Sequence, residues 1–365
     1  MLTLYFSVFF GVLPLTCFFA NIWKFFISNN YFYYRVKPSS FDKINKTSFF
    51  KKLKYSTFVK WNLIILCAFF ICIHSFRNES FSFFWNHLAV NNFKFWCYFT
   101  LFFLSGCGYF FVKVISNSNS PQSIDFYFSI SNLTAFIPLI YYSNTLFTFL
   151  FVMEVISALL FYKFVTSKVW FRTPGSASLI KDNKFVKLIP RQYLNVLFFQ
   201  FWSNFFSTIL IFMSLLIFFL ILGSTEWFWL QVVYLISNEV GYSDNNNYFV
   251  IILFPLLVGI FFKLGLSPLH LYKIEVYKGL PFITIFFYTT YFFFSLLSFF
   301  VYLLVALLGV FSVYWVYFLS ALFIVGSVVL TWLLFDVQYI KAFFAYSTVV
   351  NVILIFLVVV VYLNN

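Results

Sequence analysis

Charge is scarce in this sequence of 365 residues: 10 Asp and Glu and 23 Lys and Arg make up 9% of it. An average soluble chain carries about 25%, so the surface of a soluble globular domain is excluded. Also missing are a GxGxxG, a Walker loop, an HExxH and any clustered His/Cys set, with only 3 His in all. Nucleotide, flavin and metal chemistry on this chain are therefore not expected, and such cofactors belong on other chains. The 5 cysteines, Cys17, Cys67, Cys72, Cys97 and Cys107, all lie in apolar runs without CxxC or another ligand spacing, and read as packing residues. No cleavable signal is evident, because the first apolar run lacks a basic leader and continues to Lys24. Segments of alternating polarity are missing too, which excludes a membrane barrel.

What is present is hydrophobic, at 63% of the chain. Apolar runs recur near 2–26, 58–75, 94–114, 125–142, 145–166, 192–222, 247–270, 281–308, 309–335 and 339–362. Each is long enough to cross about 30 Å of hydrocarbon as a helix. The expected fold is an all-α polytopic membrane protein of about ten transmembrane helices. The longest polar connections, 27–57 and 167–190, leave no room for a soluble domain.

Basic residues are placed unevenly. The connection after the first span carries Arg35, Lys37, Lys43, Lys46, Lys51, Lys52, Lys54 and Lys60. The one after the fifth carries Lys168, Arg172, Lys181, Lys184, Lys187 and Arg191, and the one after the seventh Lys273 and Lys278. The connection after the sixth holds Glu226, Glu239 and Asp244 with no Lys or Arg. By the positive-inside rule the basic side faces the cytoplasm or its organellar equivalent, the matrix, with both termini on the opposite side. These basic residues flank membrane spans without interleaved stacking platforms, so lipid and not nucleic acid is the expected neighbour.

Three ionisable residues stand out inside or at the breaks of apolar runs: Glu154, Lys263 and Lys341. Burying such a charge costs about 2.5–3.5 kcal/mol or more, so it is paired, hydrated or functional. Lys341 is also placed to snorkel from the start of its span. The seventh run reads as a broken helix, with Pro255 and Pro268 flanking Gly259, Gly265 and Ser267. Broken membrane helices expose backbone groups near mid-membrane, where Lys263 and His270 can share a water chain. A Glu/Lys pair whose spacing changes can take up and release protons, which makes proton handling the expected chemistry. A single His at such a break is more often held by a backbone carbonyl than used as a relay.

Phe, Tyr, Asn, Lys and Ile have AT-rich codons, and 63 Phe exceed what insertion demands, which suggests an organellar gene. The stretch FKLGLSPLHLYKIEVYKGLP (262–281) resembles a signature of the NADH dehydrogenase subunit 2 family, the antiporter-like membrane subunits of respiratory complex I. Lys263, Pro268, His270, Glu275, Val276, Tyr277, Gly279 and Pro281 fall on matching positions. FVMEVISALLFY (151–162) is similar to the family's fifth-helix pattern, with Glu154 on its acidic position, and QYIKAFFAYST (338–348) to the opening of the tenth, with Lys341 on its lysine. The resemblance implies an antiporter-like fold with a broken seventh helix. Its parts would be helices 1–3 with a basic matrix loop (1–122), a repeat of helices 4–8 (123–308) and the start of a second repeat (309–365).

It further implies a membrane-arm subunit of NADH:ubiquinone oxidoreductase in the mitochondrial inner membrane, with both termini in the intermembrane space. Glu154, Lys263, His270 and Lys341 would serve proton translocation, and Pro268, Glu275, Gly279 and Pro281 would shape the loop at the break. NADH, flavin, iron-sulfur clusters and ubiquinone would sit on other subunits. Departures from the pattern are informative. Tyr272 and Ile274 replace a tryptophan and a proline, which would relax the connection after the break. The family's eighth-helix lysine falls at Phe293, and 279–340 holds no Lys or His, leaving Thr289, Thr290 and Tyr291 as the nearest polar groups. The family's last helices, about four, have no counterpart here, so a separate chain from a split gene is expected to supply them. Two other readings remain open: a stand-alone cation/proton antiporter, and a scaffold of the membrane arm with no proton channel of its own.

Overall fold

The computed structural model describes residues 81–83, 85–90, 100, 129–130, 132–134, 136–167, 183–229, 232, 245–266, 269–308, 313–335, 337 and 339–364. The first and second spans, all but one residue of the third, and the basic connections at 27–57 and 168–182 lie outside them. The described helices, in chain order, are α1 (Leu139–Tyr142), α2 (Leu146–Ser167), α3 (Asn183–Leu222), α4 (Asn245–Leu264), α5 (Leu271–Gly279), α6 (Phe282–Phe287), α7 (Phe294–Leu308), α8 (Val313–Phe335) and α9 (Ile340–Asn364). A π-helical segment, Tyr288–Phe293, joins α6 to α7 without interruption. Four stretches are long and apolar enough to cross a membrane: Leu146–Val165, Leu194–Leu222, Thr284–Leu303 and Ile340–Val359. Thr284–Leu303 is 67% buried against 28% for Leu194–Leu222, so the π-containing helix is central and α3 is peripheral.

Polar side chains in these helices satisfy themselves locally. Thr208, Ser214, Thr289, Thr290, Ser327 and Thr348 each donate to a carbonyl three or four residues back, which removes the need for water in hydrocarbon. Between helices, small residues permit close approach. A Cβ on Gly259 of α4 would stand 2.8 Å from Ile211 Cγ1 of α3. The Ser207 hydroxyl uses that proximity to donate to the Gly259 carbonyl at 2.8 Å.

Phenylalanine supplies much of the core. Phe261 of α4, Phe300 of α7, Phe323 of α8 and Phe356 of α9 form a closed ring of contacts with centroids 5.1–5.8 Å apart. Edge-to-face and stacked pairs of this kind add about 0.5–1.5 kcal/mol each beyond burial. The four rings bind four helices at one level of the bundle.

Three departures from the expected architecture are instructive. A two-stranded hairpin, β1 (Phe81–Phe83) and β2 (Leu88–Val90), interrupts the all-α pattern, with Trp85 and Asn86 at positive φ in its turn. Its short strands lie in the polar stretch between two apolar runs, where no helix period competes. α3 begins at Asn183, nine residues ahead of the apolar run at 192, because a helix does not stop where hydrocarbon ends. Pro255 leaves α4 continuous to Leu264: one proline removes one donor, while the hydrogen bonds on either side persist. The break lies wholly beyond Lys263.

The hairpin also bears on topology. Asn144 N–H donates to the His87 carbonyl at 2.9 Å, Thr148 Oγ1 donates to it at 3.1 Å, and Asn144 Nδ2 donates to Asn86 O at 3.1 Å. Leu146 N–H donates to Thr225 O at 2.8 Å and Trp227 N–H to Asn144 O at 3.2 Å. The connections expected after the second, fourth and sixth spans thus meet at one end of the bundle, as alternating spans require.

Candidate functional site

A helix leaves its last carbonyls without intrahelical donors, and inside a membrane each needs a partner. At the end of α4 every one is provided for. Gly265 adopts φ +60°, the left-handed conformation that ends helices. Its neighbour Leu266 donates N–H to Phe261 O at 3.1 Å, and Gly265 N–H reaches Phe262 O at 3.3 Å. The Tyr272 hydroxyl lies within donating distance of Phe262 O at 2.5 Å and Lys263 O at 3.1 Å. The Lys273 ammonium donates to Leu264 O at 3.3 Å. Tyr272, at the position where a relaxed connection was expected, instead ties the two halves of the break together.

Lys263 projects from the last turn of α4 and its side chain is 1% exposed. Its Nζ lies 3.5 Å from Glu154 Oε1 of α2 and 3.5 Å from Asn204 Oδ1 of α3. Three helices therefore converge on one ammonium. Glu154 is asymmetric with it: its side chain is 46% exposed. Such a carboxylate has one face on the buried lysine and another open to neighbouring material. Ser157 donates its hydroxyl to the Glu154 carbonyl at 2.9 Å, which fixes the turn that carries the acid.

Lys273, which the loop count assigned to the basic side, is a fully buried residue. Its Nζ sits 3.5 Å from the centroid of the Phe293 ring in the π segment, a cation–π contact. The position where the resemblance places a lysine thus carries an aromatic face, and a lysine from another element occupies that face. Lys163, nine residues beyond Glu154 on α2, is also buried, with Nζ 5.2 Å from the Phe287 ring centroid. Sequence reading missed both lysines, and Asn204. The signal for Lys163 and Asn204 was a polar residue within an apolar run; Lys273 follows the break, where the run had already ended.

The remaining predicted residues surround this centre. His270 is buried at the start of α5, its ring 6.1 Å from Tyr346 of α9. Lys341 donates from the first turn of α9 to Leu280 O at 2.8 Å, so it is fixed to the α5–α6 connection and does not simply snorkel. Glu275 pairs with Lys278 at 2.7 Å on α5, and both side chains are partly exposed. Gly279 ends α5 and Pro281 caps the start of α6. Pro268 lies outside the described residues. Among the described residues no group of three or more His, Cys, Asp or Glu is arranged to hold a metal ion.

No protein-family model matches the chain. An uncharacterized mitochondrial protein, ORF4, of Paramecium tetraurelia is 43% identical over 83 residues, 22% of this chain and about half, 52%, of that protein. Among solved structures, a chain of respiratory complex I from Thermus thermophilus with bound aureothin superposes with a TM-score of 0.56 at 17% identity. It covers 82% of this chain and 58% of that one. A chain of the membrane-bound sulfane sulfur reductase, an archaeal respiratory membrane complex, gives a TM-score of 0.63 at 13% identity, covering 97% and 64%. The chain therefore has a helical, membrane-spanning, antiporter-like fold that it shares with chains of two respiratory membrane complexes.

Proposed function

We propose that this chain is a membrane-arm subunit of a proton-translocating NADH:ubiquinone oxidoreductase, contributing a proton site and no redox centre. The observation that carries this reading is the Glu154–Lys263 pair, set at 3.5 Å between two helices immediately before a helix break. Lys263 is held against a single carboxylate and an amide, so a small change in the α2–α4 spacing alters how firmly its proton is held. Glu154, with its open face, is the group that exchanges protons with the surroundings. His270 and Lys341, on the far side of the break, continue the polar path. NADH, flavin, iron-sulfur clusters and ubiquinone belong to other subunits of the assembly.

The likeness of fold to chains of two respiratory complexes supports membership of such an assembly. The mitochondrial relative supports a place in the mitochondrial inner membrane, and the basic connections support a matrix-facing basic side. Partners are then the neighbouring membrane-arm subunits. The chain spans 58% and 64% of the length of those two solved chains.

Replacing Lys263 with Met and measuring protons moved per electron in the assembled complex tests the reading. Reduced stoichiometry with assembly intact is the expected result. Unchanged stoichiometry would favour the scaffold, a reading that Phe293 at the expected lysine position keeps alive.

A further inference from the structure

Two buried lysines flank the break in α4–α5, and among the described residues only one has a counter-ion. Lys263 faces Glu154. Lys273 is held by the Leu264 carbonyl and the Phe293 ring, and among the described residues it has no carboxylate within ion-pair distance. Both partners of Lys273 suit a cation: the carbonyl lies at the negative end of the α4 helix dipole, and the ring presents its electron-rich face. Neither partner needs a cation, however. A hydroxyl or an amide would satisfy the same carbonyl without the cost of desolvating an ammonium.

The backbone is shaped around this side chain. A Cβ at Gly265 would stand 3.0 Å from Lys273 Cδ, so the lysine stem crosses the one glycine that ends α4. Lys273 Nζ binds the carbonyl of Leu264, the residue next to Lys263. Several other ionisable groups of α5 and its surroundings have contacts of their own, while Tyr277 and Tyr288 are buried with their rings together. Glu275 holds Lys278, Lys341 holds Leu280 O, and Tyr272 holds the carbonyls of Phe262 and Lys263. His270 lies against Tyr346.

We propose that Lys273 is a second proton-carrying lysine, which takes up the proton that Lys263 releases across the break. Two buried ammonium groups on either side of the break, with a carboxylate against only one of them, repel each other in a dry interior, so charging one favours discharging the other. In the transfer an N–H bond of the Lys263 ammonium breaks, its proton passes through water, and an N–H bond forms on the neutral Lys273 amine. Lys263 becomes the neutral amine, Glu154 is left with its negative charge uncompensated, and Lys273 becomes the cation over Phe293. This inference rests on the proton-translocating reading above.

The test is the complete complex in sealed vesicles, carrying Lys273→Arg, Lys273→Met or Lys263→Met, with protons per electron measured beside the amount assembled. Arginine keeps the charge, the hydrogen bond and the ring contact but does not give up its proton. The expected result is that Lys273→Arg assembles and loses the same share of stoichiometry as Lys263→Met. Full stoichiometry with Lys273→Arg, while Lys263→Met is impaired, overturns the role of Lys273 and leaves the proposed function standing. Full stoichiometry with Lys263→Met as well overturns the proposed function itself. If Lys273→Arg does not assemble, Lys273→Met combined with Phe293→Lys, which returns an amine from the other side of the contact, decides. Restored pumping then supports the second carrier, and its failure overturns it.

Discussion

The hydroxyl of Tyr272 lies 3.1 Å from the main-chain carbonyl of Lys263, so the helix after the break holds the backbone of the residue whose ammonium faces Glu154. Position and chemistry are coupled through that one phenol. Tyr272→Phe leaves the buried Lys263 carbonyl without its side-chain donor and the Phe262 carbonyl with Gly265 N–H alone. The expected loss is about 1–3 kcal/mol of stability, read as a lower melting temperature of the assembled complex, with reduced proton stoichiometry beside it. An unchanged melting temperature would show that water serves the carbonyls equally well.

Glu154→Gln keeps the shape of the acid and removes its charge. A fully buried ion pair costs about 3–5 kcal/mol to break, but Glu154 is 46% exposed, so a stability loss well below that range is expected. Proton translocation is expected to fall as far as with Lys263→Met. A stability change without a change in pumping would make the pair a structural tie only.

Two glycines with nearly equal backbone geometry allow a controlled comparison. Gly265 and Gly223 have φ of +60° and +65°, yet an added Cβ meets Lys273 and Tyr272 atoms at 3.0–3.3 Å in the first case and nothing within 4 Å in the second. Both alanine variants carry the conformational penalty of about 1 kcal/mol. Only Gly265→Ala adds a clash with the lysine stem. It is expected to lower the melting temperature more than Gly223→Ala and to impair pumping. Equal effects would mean that Lys273 is free to move aside.

Lys341→Met removes the link between α9 and the α5–α6 connection, where its ammonium donates to Leu280 O at 2.8 Å. A hydrogen bond to a charged group contributes about 1.5–3 kcal/mol, and partial exposure of Lys341 puts the expected loss at the low end of that range. Hydrogen exchange at the start of α9 is expected to rise. Protection identical to that of the unmodified chain would show that apolar packing alone seats the helix.

Much of this arrangement is legible in the sequence because lipid enforces simple rules. Apolar runs at 145–166, 281–308 and 339–362 correspond to Leu146–Ser167, Phe282–Leu308 and Ile340–Asn364 within a few residues. Glu154 and Lys263 were visible as charges that hydrocarbon does not tolerate alone. Lys273 was not, because a run count ends the span at the break and sends everything after it to the loop. Its burial follows from α5 folding back against α3 and α9, a tertiary fact with no local periodicity. Pro255 misled in the opposite sense: proline marks where a helix can be interrupted, whereas Gly265, with its left-handed backbone, marks where it is.

The π segment at Tyr288–Phe293 has a consequence for how this chain can change over evolutionary time. A π turn holds about one residue more than an α turn. Deleting one residue there would let the segment close into ordinary helix while Thr284 before it and Ser295 after it keep the directions in which they point. The same deletion anywhere else in the helix would rotate everything beyond it by about 100°. Loss of a single codon is therefore expected to be tolerated best at the stretch of the central helix that carries Phe293, the ring under Lys273.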